Sequence, residues 1–129
     1  MYMGQHPAKA LRHYAAVDTG SRAEGANPHQ LVKMLFDELL LSLDAAALAL
    51  RGGDRAQCLD RQTRALAILH ALETSLDFGR GGEIAVNLAV IYREARKRVL
   101  EATAQHRAEP MEQARQFIAD IADAWGRIG

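Results

Sequence analysis

Apolar residues recur along most of this chain at intervals of three and four, the spacing that places them on one face of an α-helix. Four long stretches carry such a stripe. Near residues 29–51 it runs through Val32, Leu35, Phe36, Leu39, Leu43, Ala46 and Leu50, and near 55–77 through Leu59, Leu66, Leu69, Leu72 and Leu76. Near 83–105 it consists of Ile84, Leu88, Ile91, Tyr92, Ala95 and Val99, and near 110–127 of Ala114, Phe117, Ile118, Ile121 and Trp125. Helix punctuation falls between the stripes. Asn27-Pro28 pairs a capping side chain with a proline suited to the first turn, and Gly52-Gly53-Asp54 stops one helix and caps the next. Gly79-Arg80-Gly81-Gly82 reads as a tight helix–helix turn, and Glu109-Pro110 opens the last helix. No stretch shows the two-residue period of a strand. Four long helices with short connections predict an all-α, antiparallel up-and-down four-helix bundle, a single domain over 1–129.

Residues 1–27 form a separate N-terminal segment in this reading. Leu11, Tyr14 and Val17 mark one face of an extra short helix near 8–18, too short to be stable alone. A loop containing Gly20, Ser21, Gly25 and Asn27 joins it to the bundle, so the segment is expected to be mobile and able to cover a groove.

The 29–51 helix carries more apolar surface than one core face uses. Met34, Leu41 and Leu48 lie seven residues apart and fall away from the core stripe, with Leu40 on the far shoulder. That spacing keeps them within about 20° of one line per heptad, as in a helix–helix seam. Val86 and Val90 repeat the theme on the 83–105 helix. Two readings stay open. These residues meet neighbouring helices of the same bundle, or part of the stripe lines an exposed groove for a partner's amphipathic helix.

Composition narrows the functions available. The 129 residues hold 16 Lys+Arg against 16 Asp+Glu, whereas a protein that neutralises several phosphates is visibly basic, which argues against nucleic acid. Asp, Glu, Lys or Arg interrupts every apolar run before it reaches membrane-spanning length, and the N-terminus lacks a signal-peptide h-region. The single cysteine, Cys58, cannot form an internal disulfide, which fits a reducing compartment and a cytoplasmic protein.

Catalytic and metal chemistry finds little to work with. His6, His13, His29, His70 and His106 show no metal-ligand spacing, so no metal, cofactor or catalytic residue is assigned and no enzyme activity is expected. Asp37 and Glu38 point about 100° apart and read as solvated surface. Arg93, Arg96, Lys97 and Arg98 spread around their helix and read as a solvated basic face.

Ordered fragments along the chain resemble the FliS family, bacterial cytoplasmic chaperones for flagellin that serve the flagellar type III export system. They are Tyr14, the run from Asn27-Pro28-His29 to Phe36-Asp37, Leu76-Asp77, the run from Gly81-Gly82-Glu83 to Leu88 with Ile91-Tyr92, and Ile121 to Trp125. The resemblance implies a four-helix bundle with an additional short helix. It also implies a partner, the C-terminal segment of flagellin, which becomes helical as it wraps the bundle and is thereby kept from polymerising and held ready for export. The candidate contacts are Leu11, Tyr14, Leu31, Met34, Leu41, Leu48, Val86 and Val90. The flagellar export gate is a further candidate partner. The alternative is a self-associating helical structural or adaptor protein, a weak homodimer that uses the same stripe.

Overall fold

The computed structural model describes residues 25–128, and within them every regular element is an α-helix: α1 (Pro28–Arg51), α2 (Arg55–Thr74), α3 (Phe78–Gln105) and α4 (Ala108–Ile128). The short N-terminal helix expected near 8–18, with Leu11 and Tyr14, lies outside the described residues.

Local chemistry sets each boundary. Asn27 and Gln30 form a reciprocal capping box: the Asn27 side chain accepts from Gln30 N at 2.8 Å, and Asn27 N donates to Gln30 Oε1 at 3.0 Å. Pro28 follows at the first helical position, where its missing N–H costs nothing. Gly53 takes φ 74° after α1, a left-handed conformation suited to glycine, and Asp54 then caps α2 by accepting from Gln57 N at 3.1 Å. Asp77 caps α3 in the same way through Arg80 N at 3.1 Å.

Two boundaries differ from the sequence reading by three residues or more. Helix α2 stops at Thr74, three residues early, and Ser75 Oγ donates to the Leu72 carbonyl at 2.7 Å as the chain leaves it. Helix α3 starts at Phe78, because Gly79-Arg80-Gly81 continue the helical turn that Asp77 initiates. Gly82 interrupts it with φ 51° and ψ −126°, and the regular run resumes beyond it. The expected glycine turn is thus one capped helical turn followed by a kink.

Helix α1 packs against α2 and α4, and α3 packs against the same two, so α1 and α3 face each other across the bundle rather than lying side by side. The α1–α4 pair runs in opposite directions. Arg51 meets Glu112, Asp44 accepts from Arg115 at 3.0 Å, and His29 meets Trp125 at the far end. The core comprises Leu35, Phe36, Leu39 and Leu43 of α1, Ile68, Leu69 and Leu72 of α2, Tyr92 and Val99 of α3, and Met111, Ile118 and Trp125 of α4. Each such side chain contributes about 1.5–3 kcal/mol relative to an exposed one. Ala65, Ala95, Ala102 and Ala114 intersperse them and let the helices approach closely.

Two residues assigned to the core stripe are exposed, Leu59 and Ile84. Leu59 follows the Gly52–Gly53 turn and edges a shallow cleft shared with Leu50, Cys58 and His106. Ile84 comes just after the Gly82 kink, where Ala85 and Ala89 take the inward positions instead.

Candidate partner-binding surface

The outer side of α1 is where sequence and structure meet most directly. A residue seven positions on returns to nearly the same azimuth, and Leu41 and Leu48 occupy successive positions of that line. Leu41 is 65% and Leu48 71% exposed, so neither neighbouring helix covers them. The reading in which these two meet other helices of the same bundle therefore fails for them. Ion pairs flank the line: Asp44 with Arg115 and Arg51 with Glu112 tie one flank to α4, and Glu38 accepts from Arg64 of α2 at 3.3 Å on the other. Glu38 is consequently part-buried rather than a freely solvated carboxylate.

Met34 and Leu31 behave differently. Both are buried, in a small cluster with Ala26 that is separate from the main core. The entry into α1 contributes to this. Ala26 precedes the Asn27 cap and Leu31 stands four positions after it, the arrangement of a hydrophobic staple, and Met34 adds the next turn. Met34 is thus off the main core, as its spacing indicates, but closed rather than open. The open part of the α1 stripe begins at Leu41.

On α3, Val86 is 50% and Val90 57% exposed. Because α1 and α3 do not adjoin, these valines and the Leu41–Leu48 line face different sides of the molecule. The structure does not bring them into one groove. The basic cluster on α3 is largely engaged: Arg93 Nε donates to Glu73 Oε2 at 2.8 Å, Arg96 donates to the same carboxylate, and Arg98 Nε donates to Glu94 Oε1 at 3.1 Å. Charge neutralisation between α2 and α3 accounts for Arg93 and Arg96, and a pair within α3 accounts for Arg98. Further exposed apolar side chains that the stripe analysis did not single out are Phe78, Leu100 and Ile128.

Cys58 is buried, and the loss of solvent around its sulfur, reinforced by the charge of Asp54, raises its thiol pKa above the ordinary value. Both effects favour the neutral thiol over the reactive thiolate. No group of three His, Cys, Asp or Glu side chains among the described residues could hold a metal ion, and no described helix is long and apolar enough to cross a membrane. The arrangement as a whole is a packed bundle with apolar side chains left open on separate faces, which suits contact with another polypeptide.

Comparison with known proteins agrees with that description. The family model for the flagellar protein FliS matches residues 10–129. The flagellar secretion chaperone FliS of Salmonella typhimurium is 35% identical over 124 residues, covering 95% of this chain and 92% of that protein. The protein of the same name from Escherichia coli is 30% identical over 121 residues, covering 93% and 89%, and the flagellar secretion chaperone FliSB of Pseudomonas aeruginosa is 27% identical over 123 residues, covering 93% and 95%. With a match running from residue 10 to the last residue and relatives aligned over nearly their whole length, the chain belongs to the FliS family.

Proposed function

We propose that this protein is a flagellar secretion chaperone of the cytoplasm that binds the disordered C-terminal segment of flagellin, prevents its premature polymerisation and keeps it competent for export. Its four helices serve as an antiparallel up-and-down scaffold, and residues 8–18 supply the extra short helix. The observation that carries this reading is the open apolar line of Leu41 and Leu48 on the outer side of α1.

Its physical logic is straightforward. A disordered guest that folds on binding loses about 2–5 kcal/mol or more to ordering, so it needs an extended apolar contact. Leu41 and Leu48 supply one part of that contact, and Val86 and Val90 another. Because α1 and α3 lie across the bundle from each other, a guest that touches both must pass around it. Leu31 and Met34 join the surface when the chain preceding α1 lifts Ala26 away, and Leu11 and Tyr14 act as the cover in the empty protein. Handing the guest to the export gate is the step that follows.

Titration calorimetry with a flagellin C-terminal fragment tests the proposal. The expected result is saturable binding with a negative heat-capacity change from apolar burial. Absence of binding, together with a concentration-dependent dimer in sedimentation, would replace the chaperone reading with self-association through the same face.

A further inference from the structure

The seam between α3 and α4 holds a cleft of about 270 Å³ that the cargo surface described above touches only at its lip. Phe117 and Ile121 of α4 pack against the main core and form its floor with Ile91, while Val90 stands at its edge. Beside it lies Arg98, whose guanidinium is 5.8 Å from the centre of the Phe117 ring and hydrogen-bonds Glu94 and Gln113. Along the seam the apolar line continues. Ile84 precedes Ile91 by seven residues, Ile128 follows Ile121 by seven, and both are exposed. Two turns of α-helix, about 10 Å, separate each pair along the seam. Such a trough has the length for a helix rather than for a compact small molecule.

Two carboxylates stand on its rim, one of them paired with an arginine. Glu94 on α3 and Asp120 on α4 both line the cleft. Glu94 shares its charge with Arg98, but the one hydrogen bond to Asp120 comes from the neutral amide of Gln116 at 2.8 Å, and among the described residues no cation pairs with it. An apolar floor with an uncompensated carboxylate on its rim complements a helix whose apolar face is bordered by cations. We infer that the α3–α4 seam is a second docking site, for a helical segment of a partner protein that carries apolar side chains one turn apart flanked by lysine or arginine. This goes beyond the flagellin surface proposed above and shares only Val90 with it.

Two labelled helical peptides with the same leucine face, one flanked by four lysines and its twin by four glutamates, test the inference by fluorescence anisotropy on the full-length protein. The lysine peptide should bind at least tenfold more tightly, and the preference should shrink as salt screens the rim. In Asp120→Lys, an exposed site whose change leaves helicity intact by circular dichroism, the preference should fall below threefold or reverse. In Leu41→Asp it should be unchanged. Failure of both peptides to bind, equal affinity for the two, an unaltered preference in Asp120→Lys, or loss of binding in Leu41→Asp would each overturn the inference. The flagellin fragment measured alongside reports on the cargo reading alone, so either reading can fail without the other.

Discussion

The indole of Trp125 joins the end of the last helix to the beginning of the first: its Nε1 donates to the His29 carbonyl at 3.0 Å, and the two rings stack with centroids 4.6 Å apart. Phe36 meets the same indole edge-on at 6.3 Å. One side chain thus closes a contact between residues 96 positions apart in sequence. Trp125→Phe keeps an aromatic ring but loses the hydrogen bond, and should cost about 1 kcal/mol in urea unfolding. Trp125→Ala should cost about 3–5 kcal/mol. Because Trp125 is the single tryptophan, the wild-type fluorescence transition reports directly on this junction.

Leu41→Asp and Leu48→Asp should separate binding from folding. Both side chains are open, so each change should alter stability by less than about 0.5 kcal/mol. Together they should weaken the flagellin fragment more than tenfold, about 1.4 kcal/mol, in titration calorimetry. Unchanged affinity would remove this face from the binding surface.

Leu31 and Met34 should behave as structural residues. Leu31→Ala removes a fully buried side chain and should lower stability by about 2–5 kcal/mol, and Met34→Asp places a charge in the same closed cluster and should lower the melting temperature. A Met34→Asp protein that melts like wild type would show that this cluster opens freely.

Glu73 should matter more than other carboxylates of the surface. Its side chain is 18% exposed and receives both Arg93 and Arg96, so Glu73→Gln should cost about 1–3 kcal/mol. Asp44, 54% exposed in its pair with Arg115, is the control, and Asp44→Asn should change stability by under about 1 kcal/mol. Equal effects in thermal melts would mean that the α2–α3 ion pairs contribute nothing beyond ordinary surface contacts.

Cys58 gives a prediction in pH. Burial raises its folded pKa, so the neutral thiol belongs to the folded state. The unfolded thiol ionises first as pH rises, hence its contribution is intact at neutral pH and is lost progressively as pH passes up through the ordinary thiol range. Alkylation by iodoacetamide at pH 8 should be slow in the native protein and fast in urea, and Cys58→Ala should flatten the alkaline decline in stability.

Much of this architecture is written locally in the chain, and the exceptions have identifiable causes. The Asn27 cap, Pro28, and the Gly53–Asp54 pair are short-range devices, and the helix limits they specify agree with the structure. The open Leu41–Leu48 line was legible because seven-residue spacing fixes azimuth whatever the tertiary context. Ile84 was misplaced because large residues suggested the inward face, whereas past Gly82 the small Ala85 and Ala89 take it. Spacing left Met34 between the covered and the open reading, and its burial beside Ala26 and Leu31 settles it as covered. The Glu73 ion pairs and the α3–α4 cleft join residues 20 or more positions apart, and no local pattern encodes them.

The placement of α1 and α3 on opposite flanks has a dynamic corollary. A ligand held on both sides cannot be stripped off in one motion, since freeing its contact with one flank leaves the other intact. Release then proceeds as peeling, one end before the other, and the portion still attached stays shielded while the portion already loose is drawn away.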